Sequence, residues 1–178
     1  MRTFGFTLIE LLITLSILTI LLTLALPNFS AEIKNSRVKT ATLSLQEAIA
    51  FTRTQAVSAN GRATMAKQTD WVKGWEIFID LNNNGLRDQD EKIILQHEQL
   101  KNIHILANGP VKNNVSYIGT GESRNAGGTD GGGFQAGTFT ICPEEKGKGY
   151  ELVLARGGRV RMQEINAQDC DETKQSNK

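Results

Sequence analysis

Residues 6–26 hold fifteen apolar side chains, and of the other six all but Glu10 are Thr or Ser. An apolar run of this length is long enough to cross a bilayer as a helix. Pro27 follows, and its missing N–H and ring clash predict a kink or local loosening over residues 23–28. The helical pattern then resumes. Val38, Ala41, Leu45, Ala48, Ile49, Thr52 and Ala56 recur at three- and four-residue steps and make one apolar-to-small face, and Gly61 is placed as a C-terminal stop. Residues 28–60 would extend roughly 50 Å at the α-helical rise. The first half of the helix is thus a stalk and the second packs on a domain.

From residue 62 the period changes to two. Trp75, Ile77 and Ile79 alternate with Glu76, Phe78 and Asp80, which reads as a strand over 74–80. Further strands are expected at 63–67, 92–97, 103–107, 115–118, 137–142, 151–155 and 159–165, joined by Gly- and Asn-rich turns. One long helix followed by several short strands makes an α+β chain with an antiparallel sheet domain. Seven of the fifteen residues from Gly119 to Gly133 are glycine, so that stretch reads as a long mobile loop or linker. The tail after Ile165 is polar, with Cys170 to tie it down.

Length and charge narrow the picture. About 118 residues after the helix suffice for one compact domain with its own core. The chain carries 20 Lys+Arg against 19 Asp+Glu, so any nucleic-acid binding must come from a local patch. Cys142 and Cys170 allow one intramolecular bridge, or else two buried thiols.

Glu10 is the informative exception in the apolar run. A carboxylate at membrane depth is unfavourable by about 2.5–3.5 kcal/mol on insertion scales, which makes it a functional residue in need of a partner. An ordinary secretory signal would have a shorter apolar core and a small-residue cleavage site, and Leu24-Ala25-Leu26-Pro27 fits that poorly. A plain single-pass anchor with Glu10 near the helix end is the other bland reading.

Residues Gly5-Phe6-Thr7-Leu8-Ile9-Glu10, the apolar helix and Pro27 resemble the class III signal of type IV pilins and type II secretion pseudopilins. The resemblance implies a prepilin leader over 1–5, cleavage between Gly5 and Phe6, methylation of the new Phe6 amine, and an assembly role for Glu10. It implies four segments: the leader, a transmembrane and filament-core helix over 6–27, its amphipathic second half over 28–61, and a periplasmic β-rich domain over 62–178. The fold it implies is pilin-like, a long helix packed on an antiparallel β-sheet domain. Residues 74–80, the Asn-rich turn after them and the closing Gly-Arg strand are similar to the GspH/FimT branch of minor pilins and pseudopilins. Lys34, Arg37 and Lys39 follow the apolar run while Arg2 alone precedes it, the reverse of a positive-inside arrangement. Long C-terminal domains translocate largely regardless of such charges. The resemblance therefore places both cysteines in the oxidising periplasm, where a Cys142–Cys170 bridge persists.

Three constellations remain for chemistry. Asp80, Asn82, Asn84, Gly85 and Glu91 match the spacing of a calcium loop, with Asp88 as a further oxygen donor. The flanks are strands rather than helices, and Arg87 lies inside the loop, so an Asn-Gly turn without metal is the preferred reading. His97 and His104 have no ligand-spaced partner. No nucleophile elbow, phosphate loop or zinc motif is present, so no enzyme activity and no cofactor are expected.

The third is Arg156-Gly157-Gly158-Arg159-Val160-Arg161. Residues two apart on a strand share a face, so Arg159 and Arg161 project together while Val160 and Met162 turn to the core. The glycines supply a turn that brings Arg156 alongside, and Lys146 and Lys148 extend the expected patch. A solvated hairpin face, paired with Glu144, Glu145 or Glu164, is the bland reading. Residues 158–161 resemble the GRxR motif of FimT-type minor pilins that bind double-stranded DNA in natural transformation. The family implies an inner-membrane protein with a periplasmic domain, later a pilus or pseudopilus subunit. Its partners would be prepilin peptidase and other minor and major pilins. A GspH-like secretion pseudopilin is the alternative.

Overall fold

The computed structural model of the chain describes residues 5–127 and 132–175, and within them the side chains outside 24–31 and 172–175. Helix α1 spans Leu8–Ala59. Its start is capped by Thr7, whose Oγ1 accepts the Glu10 N–H at 3.3 Å. Its end is closed by Asn60 in the left-handed region, φ 46°, with the Gly61 N–H donating to Ala56 O at 3.1 Å. The stop expected at Gly61 thus falls one residue earlier, because Asn tolerates that conformation. The kink expected at Pro27 lies where side chains are outside the described residues.

The strands are β1 (Ala63–Lys67), β2 (Trp75–Ile79), β3 (Ile93–His97), β4 (Ile103–Ala107), β5 (Asn114–Tyr117), β6 (Gly137–Pro143), β7 (Gly149–Leu154) and β8 (Val160–Ile165). They form two four-stranded antiparallel sheets, ordered β3-β2-β1-β5 and β4-β6-β7-β8. The second half of α1 lies across both, touching β1, β2 and β5 of one and β6, β7 and β8 of the other. Val38, Ala41, Thr42, Leu45, Ala48, Ile49, Thr52 and Ala56 are its buried face. Thr42 and Thr52 satisfy their hydroxyls on the Val38 and Ala48 carbonyls, so the face buries no unpaired polar group there. Each of Val38, Leu45 and Ile49 contributes about 1.5–3 kcal/mol by burial.

The tail is more ordered than its polar composition suggests. Residues Ala167–Gln175 form a helix, α2, begun by the Asn166 N–H donating to Asp169 Oδ2 at 3.1 Å. Cys170 on α2 bonds Cys142 on β6 across 28 residues of sequence, which excludes the free-thiol reading. A loop of that length implies up to about 3.6 kcal/mol of stabilisation in the chain-entropy account. Gly149 makes the bridge feasible: a Cβ there would stand 2.4 Å from Cys170 Sγ and 2.6 Å from Ile141 O.

The glycine-rich stretch also departs from expectation in its described parts. Tyr117 bridges Ser123, and Arg124 bridges Phe134. The buried Gln135 side chain accepts the Ser116 N–H at 2.9 Å and donates to Pro110 O and Asn114 O at 2.9 and 3.0 Å. Residues 119–127 and 132–135 are therefore packed structure and not a linker. Glycine frequency alone hid that Ser123 and Gln135 supply buried hydrogen bonds.

Candidate functional site

The N-terminal half of α1 is the largest apolar surface left open. Phe6 is 78% exposed, and Leu8, Ile9, Leu11, Leu15, Ile17, Ile20 and Leu22 are exposed around the helix. An all-round apolar helix requires lipid or other helices about it. Glu10 sits in its first turn, where the helix dipole favours a negative charge. Its carboxylate has no ion-pair partner among the described residues. Among those residues no helix is long and apolar enough to cross a membrane; the expected span continues through Leu24–Leu26, whose side chains are not described.

The second candidate is the β7–β8 turn. Leu154 pairs with Val160, and beyond that pair Ala155 N–H donates to Arg159 O at 2.9 Å. Gly158 closes the turn through Ala155 O at 2.8 Å. Its φ is +77°, and a Cβ there would meet Gly121 O at 2.6 Å and the Tyr117 ring at 2.7 Å. Only glycine fits that position without strain. Tyr117 holds the turn from beneath, donating from its hydroxyl to Gly158 O at 2.9 Å. Burial pushes the Tyr117 phenol far above its ordinary pKa, with Arg53 opposing.

On this clamped turn Arg156, Arg159 and Arg161 are exposed, while Val160 and Met162 pack against the core. None of the three arginines forms an ion pair among the described residues. Arg159 and Arg161 share a face, at a spacing of about 6.5–7 Å set by the strand rise. The next residue on that face, Gln163, is bonded to Glu151 at 2.6 Å. A cation the sequence reading missed joins the base of the turn. Arg53 of α1 lies against Gly121, where a Cβ would be 3.1 Å from its Nε; no local motif marks it.

Lys146 and Lys148 do not join the patch. Lys148 precedes Gly149, which pairs with Ile165 at the opposite end of the hairpin, roughly 20 Å from Arg159 at the strand rise. Lys148 is bound to Glu164 at 2.6 Å, a hydrogen bond that raises the pKa of its ammonium group. Glu145 is taken by Lys34. Glu145 and Glu164 are thus engaged with lysines, not with the arginines; the Glu144 backbone N–H donates to Asn102 O.

The Asp80–Glu91 loop joins β2 to β3 and closes on itself. Asp80, 2% exposed, accepts from Asn84 N, Gly85 N and Thr64 Oγ1 at 3.0, 2.9 and 3.0 Å. Glu91 accepts from Leu81 N and Asp88 N at 2.7 and 3.1 Å. Asn82 and Asn84 donate to Asp88 Oδ2 at 2.6 and 2.8 Å, and Arg87 leans out to Glu76 at 3.4 Å. The arrangement is a hydrogen-bonded Asn-Gly turn. Among the described residues no group of His, Cys, Asp and Glu is arranged to hold a metal. His97 stacks on Trp75 with ring centroids 4.1 Å apart, and His104 is exposed on β4.

A polar network that the sequence reading did not find anchors this loop. Arg62, 4% exposed, donates to Asn83 Oδ1, Ser116 Oγ and Arg124 O at 3.0, 2.7 and 3.1 Å. Burial lowers the Arg62 pKa, the nearby Asp80 carboxylate opposes that, and Arg124 adds to it. Its partners lie 21–62 residues away in sequence, beyond any local pattern.

A long helix laid across antiparallel sheets, with its apolar half free and one acid in that half, defines a pilin-like filament subunit. The chain belongs to the GspH family: the family model described as type II transport protein GspH matches residues 41–158. The prokaryotic N-terminal methylation motif matches residues 1–26, which implies processing by prepilin peptidase and assembly with other pilins. The fold is similar to the type IV minor pilin FimU of Pseudomonas aeruginosa. In one crystal form the TM-score is 0.55 at 18% identity, covering 72% of this chain and 90% of that one. In another it is 0.52 at 19%, covering 70% and 91%. The minor pseudopilin EpsH of the Vibrio cholerae type 2 secretion system gives 0.50 at 12%, covering 71% and 96%. No curated protein matches the chain.

Proposed function

We propose that this chain is a minor type IV pilin that is cut after Gly5, methylated on Phe6 and assembled at or near the pilus tip, where it primes assembly and binds DNA. It acts as a structural and receptor subunit rather than an enzyme. Before assembly it is held in the inner membrane by residues 6–27, with the domain in the periplasm, a placement that the Cys142–Cys170 bridge supports.

The DNA reading is carried by one observation: Arg156, Arg159 and Arg161 are exposed on a rigid turn, with no ion pair among the described residues. In a chain of nearly balanced charge, such a cluster is a local anion site, and a guanidinium grips phosphate oxygens in bidentate fashion. A fragment beginning at residue 29 should retard double-stranded DNA in a gel, more weakly as salt rises. Arg159→Gln with Arg161→Gln should weaken binding alike on all sequences and reduce the salt slope by roughly two units. Equal retardation by the variant would reject the turn as the DNA site.

The alternative is a GspH-type pseudopilin in protein export, favoured by the match to the type II transport protein GspH family. A deletion strain separates the two. Loss of DNA uptake or twitching supports the pilus reading, and loss of export of folded periplasmic proteins supports the other.

A further inference from the structure

A cleft of about 590 Å³ opens between α1 and the β3–β4 connection, with Arg37, Thr40, Ser44, His97, Lys101 and Ile103 among its walls. None of its lining residues is acidic. Arg37 and Lys101 are exposed and form no ion pair among the described residues. Ala41, Leu100 and Ile103 supply apolar surface within it. The neighbouring groove that shares Arg37 does contain acids, Glu144 and Glu145, and Lys34 holds Glu145.

Ser44 and His97 also line a second cavity of about 360 Å³, together with Trp75 and the carboxylate-bearing Glu47. Trp75 Nε1 is buried and has no hydrogen-bond partner among the described residues. The cleft lies on the membrane-proximal side of the domain. Arg37 is roughly 16 Å along α1 from Leu26 at the helical rise. The opposite pole, near Arg62, bears the 80–91 loop with exposed Leu81, Leu86, Asp88 and Asp90.

We infer that this cleft is a docking surface for an acidic, apolar-tipped segment at the distal pole of the filament subunit immediately nearer the membrane. Charge complementarity selects the occupant: two cations without an ion pair among the described residues and no carboxylate in the cleft's own lining call for an anion, and the apolar patches call for a nonpolar tip. The cleft is continuous with the exposed side of α1, the element through which a filament forms, so the stacked neighbour is the body that reaches it. Heterologous contacts of this pole-to-pole kind propagate a filament without closing it. The 80–91 loop of this chain shows that the fold can present such a segment.

The inference rests on the filament reading, and the test separates the two. Benzoylphenylalanine is placed at Thr40 of the full chain in pilus-bearing cells, with Leu18, 51% exposed on the stalk, as the reporter of helix packing. Light should join Thr40 to a pilin-fold subunit through a peptide rich in Asp or Glu. Arg37→Glu with Lys101→Glu should cut that product at least about tenfold, since like charges across an interface are strongly disfavoured. Leu18 products should persist, and the melting temperature should be unchanged. A Thr40 product that is insensitive to the charge reversal, or a phospholipid adduct, overturns the docking surface. So does the absence of any Thr40 product while Leu18 still crosslinks. If Leu18 gives none either, the filament reading fails and the inference fails with it.

Discussion

Glu10→Ala should remove the chain from sheared pili altogether while leaving cleavage after Gly5 intact. The carboxylate stands in the first turn of a helix whose N-terminal half is largely apolar and exposed on all sides. Alone in lipid it is unfavourable by about 2.5–3.5 kcal/mol or more. Its own chain offers no cation among the described residues. Cleavage creates one on each subunit, because the Phe6 amine, with a reference pKa near 7.7–8.0, is largely protonated at neutral pH. A Glu10 carboxylate set against a neighbour's amine is neutralised inside the filament, where either charge alone would be costly. Glu10→Ala leaves Gly5 and Phe6, the expected cleavage junction, unchanged. Immunoblots of the membrane and sheared-pilus fractions distinguish the outcomes. Wild-type levels of the alanine variant in pili would refute this role for Glu10.

Asp80→Ala should destabilise the domain by about 3–5 kcal/mol, because it breaks a buried charged network and leaves its partners behind. Three donors lose their acceptor: the Asn84 and Gly85 N–H groups and the Thr64 hydroxyl. Arg62 is left as a buried cation without the carboxylate that opposes its desolvation. With a urea m-value of about 1–3 kcal/mol/M for a domain of this size, the unfolding midpoint of the 29–178 fragment should fall by about 1 M or more. Asp80→Asn, which keeps one acceptor oxygen, should fall less. A midpoint within experimental error of wild type would show that the network is not what holds the loop.

Much of this architecture is legible in the chain because local period and burial agree. The face Val38, Ala41, Leu45, Ala48, Ile49, Thr52 and Ala56 is buried against both sheets, and β1 and β4 occupy the residues expected for strands there. Alternation says which face a strand buries, not which strand it pairs with, so the division into two sheets could not be read. Helix α2 was hidden because its residues are polar, and its order comes with a bridge to a distant strand. Arg62 follows a helix end, where a cation is ordinarily solvated; Asn83, Ser116 and Arg124, brought in by the fold, with Asp80 nearby, make it structural.

The candidate sites divide along the same line. Gly5, Phe6 and Glu10 stand in a contiguous motif, and contiguous motifs survive folding unchanged. Arg159 and Arg161 share a face because strand geometry is local. Lys146 and Lys148 are near them in sequence, yet the hairpin carries them to its other end. Arg53 is distant in sequence and adjacent in space. Sequence proximity was thus a poor guide to the extent of the patch and a good guide to its centre.

The central claim, that this chain works as a processed filament subunit, is tested most directly by the mass of its N-terminal peptide recovered from sheared pili. The account predicts a peptide beginning at Phe6 and heavier by one methyl group. A chain found only in the membrane fraction and still beginning at Met1 would contradict it.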